Sequence, residues 1–426
     1  MTKFQLILTG VFVLFLITGV IIFSTYRGSS QDAVEVVVWG TVSQLVFDDV
    51  IKATSLYENK QFKVQYVEKS EESFDVEFID ALASGTGPDV FFLPSQKILK
   101  HRNKIFAIPY DVFTKRQFQD SFIEGTEIYM APEGTLALPV SVDPLVMYWN
   151  RSIFRDTKLT MPPKYWDEFY DLAGLISKKD GALNILKSVV AFGEFNNISN
   201  AKEIILNLAM QAGTEVTIWD GTVVRSVFAD SYQKPTVPAE AAVNFYTEFS
   251  NPSKVAYSWN RSLPNSTNYF LSGDLALYFG LASEIRTLQL KNPNLNFDVA
   301  TVPISREGGV DISYANFNAL AITKSARNPS AAFSVISILS SGEGAKAFNQ
   351  YFKLPPARRD LLQVRPKDVY ESIFYESAIR AQSWLDPEPS VSNVILKNMI
   401  ESITSGRTRV SGAINNASKE FAALLK

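Results

Sequence analysis

The sequence has no cysteine and a single histidine, His101. The first absence removes disulfides, thiol nucleophiles, Cys-ligated zinc and iron–sulfur clusters, and the second removes every mechanism that needs two imidazoles. No cofactor and no metal are expected. Basic charge is also short: 41 Lys plus Arg face 44 Asp plus Glu, for a net charge of -3. No basic stripe exists to neutralise a phosphate backbone, so nucleic acid is not an expected partner. Repeats, heptad arrays and low-complexity tracts are missing as well. What is present is 426 residues, 46% hydrophobic and 20% charged, which describes a folded chain rather than a disordered one. At roughly 100 to 200 residues per domain, two or three domains are expected.

Phe4 to Phe23 carries no charge, and as a helix rising about 1.5 Å per residue it covers the roughly 30 Å of a bilayer's hydrocarbon core. A cleaved signal peptide has a shorter apolar stretch followed by small residues, whereas this run leads into Ser24-Thr25-Tyr26-Arg27. Residues 1–27 therefore read as an uncleaved membrane anchor, and 28–33 as a short linker. Lys3 before the run and Arg27 after it give a weak inside-positive bias. The expected location is single-pass in the cytoplasmic membrane, with the folded part on the extracytoplasmic side. An unusually long signal peptide is the alternative, and it would release the folded part outside.

From Ala33 the pattern alternates between strand and helix. Val34 to Trp39 is a β-branched run, and Val46, Val50, Ala53 and Tyr57 then share one helical face. Lys63 to Val67 reads as the next strand. Ser70 is placed to cap a helix whose stripe is Phe74, Phe78, Ala81 and Leu82 and which stops at Gly85. Val90 to Leu93 is a third strand, so the fold class is α/β. Farther on, Asn328-Pro329 reads as a cap followed by a first-turn proline, and Val410, Ile414, Ala417 and Phe421 mark a terminal amphipathic helix.

Certain blocks are more specific. Ala83-Ser84-Gly85-Thr86-Gly87-Pro88-Asp89-Val90, and then Leu138-Pro139-Val140-Ser141-Val142-Asp143-Pro144-Leu145-Val146-Met147-Tyr148-Trp149-Asn150, resemble the bacterial extracellular solute-binding proteins of the maltose-binding type. The order of Pro162 to Glu168, Gly273 to Gly280, Ala319 to Lys324 and Leu354 to Arg359 agrees with that family. The resemblance covers nearly everything after Val34. It implies a periplasmic-binding-protein type II architecture: two α/β lobes with an interlobe cleft, here expected as 34–140 plus 303–340 and 141–302 plus 341–426. It also implies a small-molecule solute, in the first instance a sugar, and ABC permease subunits as partners. The chain departs from the family at Tyr165, where a threonine is usual, at Leu93 and Gln96, where a relative has an aromatic and an acid, and at Leu281-Ala282-Ser283, which lacks an aromatic. Fewer stacking rings imply a ligand other than maltodextrin, or a shallower grip on a similar one.

In open α/β sheets ligands bind beyond the carboxyl ends of strands. That rule selects Thr41, Ser95 and Gln96, whose hydroxyls and amide suit a hydroxyl-rich solute. Ser43 reads as a helix cap, Trp39 as core and Asp89 as support for its turn. Asp143 follows the first expected interlobe crossing and takes the place of a ligand-contacting acid in the resemblance; a local hinge bond is the competing role. One polar group among Glu194, Asn196 and Asn197 is expected at the cleft, represented here by Asn196. The resemblance implies a cleft tryptophan in the region before the last helices, which makes Trp384 the first candidate stacking platform, since an indole face packs on the apolar face of a pyranose; Trp259, before a loop containing Pro264, is the second. Tyr314 and Asn316 lie where the chain should recross, contacting ligand or hinge. His101 reads as part of a solvated basic turn.

Three functions fit these residues. The first is a receptor without enzymatic activity that delivers a carbohydrate to a permease. The second is a glycoside hydrolase, whose paired carboxylates need neither histidine nor cysteine. The third is a sensor that presents bound ligand to a signalling partner. The block order favours the receptor.

Overall fold

A computed structural model describes residues 2–25, 33–306 and 308–425. Lys3–Thr25 forms helix α1. Among the described residues no helix is long and apolar enough to cross a membrane. The side chains at 5–8, 10 and 20–25 fall outside that set, as do Arg27 and most of the linker, so the spanning role expected of Phe4 to Phe23 finds no support in the structure.

The strand–helix alternation takes the form expected of a βαβ start. Strand β1 (Val34–Gly40) is followed by α2 (Gln44–Lys52), β2 (Phe62–Glu68), α3 (Phe74–Ala83) and β3 (Val90–Pro94), with β1 parallel to both other strands. Ser43 caps α2 by accepting from the Val46 amide at 3.4 Å. Helix α2 stops at Lys52, one turn earlier than the apolar spacing suggested, and leaves Tyr57 exposed. Ser70 does not cap α3. The helix begins at Phe74, and Ser73 in the capping position bonds the Glu77 carboxylate instead. Gly85, at φ +73°, supplies the left-handed residue just past the helix end.

The remaining elements are β4 (Leu138–Asn150), β5 (Lys178–Lys179), β6 (Ile185–Val190), α4 (Ala201–Gln211), β7 (Thr217–Asp220), β8 (Val223–Ser226), β9 (Leu275–Leu281), β10 (Phe297–Thr301), β11 (Ser313–Ile322), α5 (Pro329–Leu339), α6 (Gly342–Phe352), β12 (Ala381–Gln382), α7 (Pro389–Thr404) and α8 (Val410–Leu424), with shorter pieces between. Asn328 caps α5 through the Ala331 amide at 3.0 Å, ahead of Pro329. One sheet runs β2-β1-β3-β11-β4-β9-β6-β5, with β10 added beside β4 and β12 beside β11.

Strand β4 is buried at every position and serves two cores. Its first half, through Pro144, pairs antiparallel with β11, and its second half pairs with β9 and β10. Val140 and Val142 pack in a first core with Val36, Phe78, Phe91 and Phe317. Leu145 to Trp149 pack in a second core with Phe169, Phe192, Tyr246 and Phe279. Strand β11 divides in the same way, with Tyr314 in the second core and Ala315 to Ile322 in the first. The two strands thus cross together from one core to the other, Asp143 paired in register with Asn316 at the junction. Phe348, Ala357 and Leu362 pack in the first core, although the sequence division put 341–426 wholly in the second lobe. The hairpin β7–β8 also reaches the first core: Val224 is buried there, and the Arg102 guanidinium lies 4.3 Å from the Trp219 ring.

Candidate functional site

The ends of the first-core strands open onto a cavity of about 680 Å³ whose opposite wall comes from the second core. Thr41 follows β1, Gln96 follows β3, Asp143 and Asn316 sit on the crossing strands, Lys202 and Glu203 occupy the first turn of α4, and Pro389 starts α7. This location matches the strand-end rule. The rings at the cavity are Phe74, Phe92, Phe352 and the His101 imidazole, and no tryptophan is among its lining residues.

Asp143 is 8% exposed, and its Oδ1 accepts from the Ser283 amide at 2.9 Å. Burial pushes its carboxyl up to about 6, and the Ser283 bond offsets only part of that. Asn316 is oriented by the Tyr314 hydroxyl, which donates to its Oδ1 at 3.0 Å. Helix α4 is fastened to this junction from within: the Asn207 side-chain oxygen accepts from the Tyr314 amide at 2.9 Å. At its other end Gln211 donates to the carbonyls of Pro303 and Ile312. The first turn of α4 is thereby held at the cavity. Lys202, which is buried, forms an ion pair with the fully buried Asp386, whose other oxygen accepts from Ser392. Glu203 is partly buried, and burial raises its carboxyl above the ordinary glutamate value.

On the opposite wall Asp75 collects three partners. Lys97 lies at 2.9 Å, Lys100 at 3.1 Å, and His101 Nε2 donates at 3.2 Å. The His101 hydrogen bond and then the lysines hold the Asp75 carboxyl well below the usual carboxylate range. Lys100 also reaches Glu388 at 3.0 Å, linking the first wall to the start of α7. His101 is 1% exposed, packed edge-on against Phe78 and Phe91, so the expectation of a solvated turn is corrected.

Of the residues the sequence selected, Thr41, Gln96 and Asp143 meet at the cavity. Ser95 is buried beside it with its hydroxyl engaged, accepting from the Phe317 amide at 3.0 Å. Tyr314 is fully buried at the junction and acts on the cavity only through Asn316. The other three lie elsewhere. Asn196 donates to Glu401 at 2.6 Å on α7. Trp259 is fully buried against Tyr269, its Nε1 donating to Asn197. Trp384 is 3% exposed and stands edge-on to Phe421 at 5.4 Å, filling the second core under α8. An indole with its faces covered by other side chains cannot serve as a platform. Asp89 is structural, accepting from the Val37 and Arg327 amides.

Lys202, Glu203, Asn318 and Pro389 were missed. One signal existed: Lys202, Glu203, Asn207 and Gln211 interrupt the otherwise apolar run Ala201–Gln211, and polar residues recurring in a largely buried helix must find partners.

Two cores joined by paired crossing strands, with a mixed polar and apolar cavity between them, make up a mixed α/β fold. The chain belongs to the bacterial extracellular solute-binding protein family, whose signature matches residues 41–346. A protein named as a binding protein in Brucella abortus (strain 2308) is 21% identical over 361 residues, 81% of each chain. The same figures hold for one from Brucella suis biovar 1 (strain 1330). Among solved structures, a cyclo/maltodextrin-binding protein complexed with maltotetraose is similar at TM-score 0.74 and 15% identity, covering 92% of this chain and 97% of that one. The sugar-binding protein MalE from Xanthomonas citri gives 0.74 and 17% at the same coverage. A solute-binding protein from Thermotoga lettingae bound with α-D-tagatose gives 0.62 and 20%, covering 92% and 100%. At these identities the structural likeness establishes the fold.

Proposed function

We propose that this protein is the extracytoplasmic receptor of an ABC importer, capturing a solute of the carbohydrate class between its lobes and handing it to permease subunits. The observation that carries the reading is the cavity between the two cores, lined from both sides and floored by the crossing strands. Thr41, Gln96, Asp143, Asn316 and Asn318 give it the mixture of donors and acceptors that hydroxyl-rich solutes need. Family membership supports the receptor over the hydrolase, and relatives of the same fold are described with maltotetraose and tagatose bound.

The lobes are taken as 34–142 with 315–362, and 143–302 with 363–426, following the two cores; residues 224, 378, 381 and 385 return to the first core, and Tyr314 and Leu354 join the second. Closure about the Asp143–Asn316 junction accompanies capture. The apolar run Phe4 to Phe23 holds the receptor at the membrane. Calorimetric titration of the purified chain against mono- and oligosaccharides tests the reading. Saturable binding with the ligand recovered intact is expected; no binding across neutral, amino and acidic sugars overturns it, and a cleaved ligand points to the hydrolase.

A further inference from the structure

The charges of the cavity do not balance, and the imbalance has a sign. Lys97 is spent on Asp75, and Lys100 is shared by Asp75 and Glu388. Lys202 is spent on Asp386. Each lysine at this site is neutralised by the protein itself, so none is free for an anionic ligand. The acids are treated differently. Asp143, more than nine-tenths buried, has the Ser283 amide but no ion-pair partner among the described residues, and Glu203, lining the same cavity, likewise forms no ion pair among them. Glu284 lies close enough to repel both. A second observation is independent of these carboxylates. His101, buried and lining the same cavity, donates through Nε2 to Asp75 and has no hydrogen-bond partner at Nδ1 among the described residues. With the proton on Nε2, Nδ1 is a bare acceptor that calls for a donor.

Resting on the receptor reading above, we infer that the solute carries a positive charge, a protonated amine paired in the cleft by Asp143 and Glu203, which makes an amino sugar the substrate class. A neutral hydroxyl can donate to a carboxylate, but in a desolvated cleft the ammonium makes the stronger, charge-assisted bond. It also relieves the Asp143 carboxylate, which folding has buried without an ion-pair partner, and the partly buried Glu203 beside it in the cavity lining. An anionic sugar would meet the same two acids with no free lysine to offset them.

The test uses matched pairs on the full chain at neutral pH: glucosamine against glucose, the chitosan disaccharide against cellobiose, and putrescine as an amine without a sugar. Calorimetry is expected to show the amino member of a pair binding about tenfold or more tightly than its neutral counterpart. Asp143→Asn and Glu203→Gln, each checked for folding by its thermal melt, should erase most of that preference by weakening the amino sugar far more than its neutral counterpart. Equal or tighter binding of the neutral sugars overturns the cationic solute and leaves the carbohydrate receptor standing. Putrescine binding with no sugar bound supports the ammonium site and overturns the carbohydrate reading. A preference that survives both substitutions, or no binding of any of the five probes, overturns the inference.

Discussion

Asp143 carries a stability signature that can be read without any ligand. Its carboxyl is pushed from 3.8 up to about 6 by burial, with Glu284 adding repulsion. Between those values the folded state holds a proton that the unfolded chain has released, so stability falls as pH rises. The favourable contribution is complete below the unfolded value and is lost as pH passes about 6. Two units correspond to roughly 3 kcal/mol at most, so Asp143→Asn is expected to stabilise the ligand-free protein by about 1–3 kcal/mol at neutral pH. Near pH 4 variant and parent should unfold alike. Denaturant titrations at both pH values check this, and a gap that ignores pH would remove burial of the charge as its cause. A site residue that weakens the empty fold is the expected pattern where function requires an unsatisfied group. That Asp143 belongs to the cavity was legible from its place after the Leu138–Val142 run. Its missing counter-charge was not, because an ion pair such as Lys202–Asp386 joins residues far apart in sequence.

Helix α8 shows how an element can settle the role of a residue outside it. Its apolar stripe, Val410, Ile414, Ala417 and Phe421, was readable from periodicity alone; the last three are buried and Val410 is partly buried. The stripe has to be covered, and part of the cover is Trp384, with Phe228 standing edge-on to Phe421 from another side. Trp384→Ala should therefore lower stability by about 3–5 kcal/mol, in the range for aromatic truncation in a core, and leave affinity for a bound sugar within about twofold. Thermal melts and titrations on the same variant separate the two; a large loss of affinity at unchanged stability would return the ring to the site. Sequence offered no means of choosing between platform and core, since an indole supplies the same apolar area in either setting. The first turn of α3 failed for a related reason: Ser70 and Ser73 both precede the apolar stripe, and the backbone began the helix at Phe74.

At the scale of the whole molecule, two cores share β4 and β11, so neither core is built from one continuous stretch of chain. The interwoven arrangement brings Asp143 and Asn316 together where the strands cross, and the Trp219–Arg102 stack and the Lys100–Glu388 ion pair add further contacts between distant parts of the chain. The N-terminal apolar run is the remaining large feature. If it anchors the receptor, the full chain fractionates with membranes and resists extraction by salt, while a chain starting at Gly28 is released into the soluble fraction. Recovery of the full chain in the soluble fraction would dismiss the anchor without touching the cleft.

Sequence by itself determined the α/β class, most of the strand cores, the capping at Ser43 and Asn328, and the exclusion of cysteine and paired-imidazole chemistry. These are local properties: hydrophobic period, turn residues and composition act over a few neighbouring positions. Only the tertiary structure decided that His101 is buried, that Trp259 and Trp384 are core, and that Lys202 and Glu203 reach the cavity wall while Asn196 does not. Those outcomes depend on which polar groups converge once β4 and β11 pair in register and Asn207 ties α4 to Tyr314. Periodicity states that a face is buried. It does not state what the face is buried against, and at this cleft that contact assigns every charge.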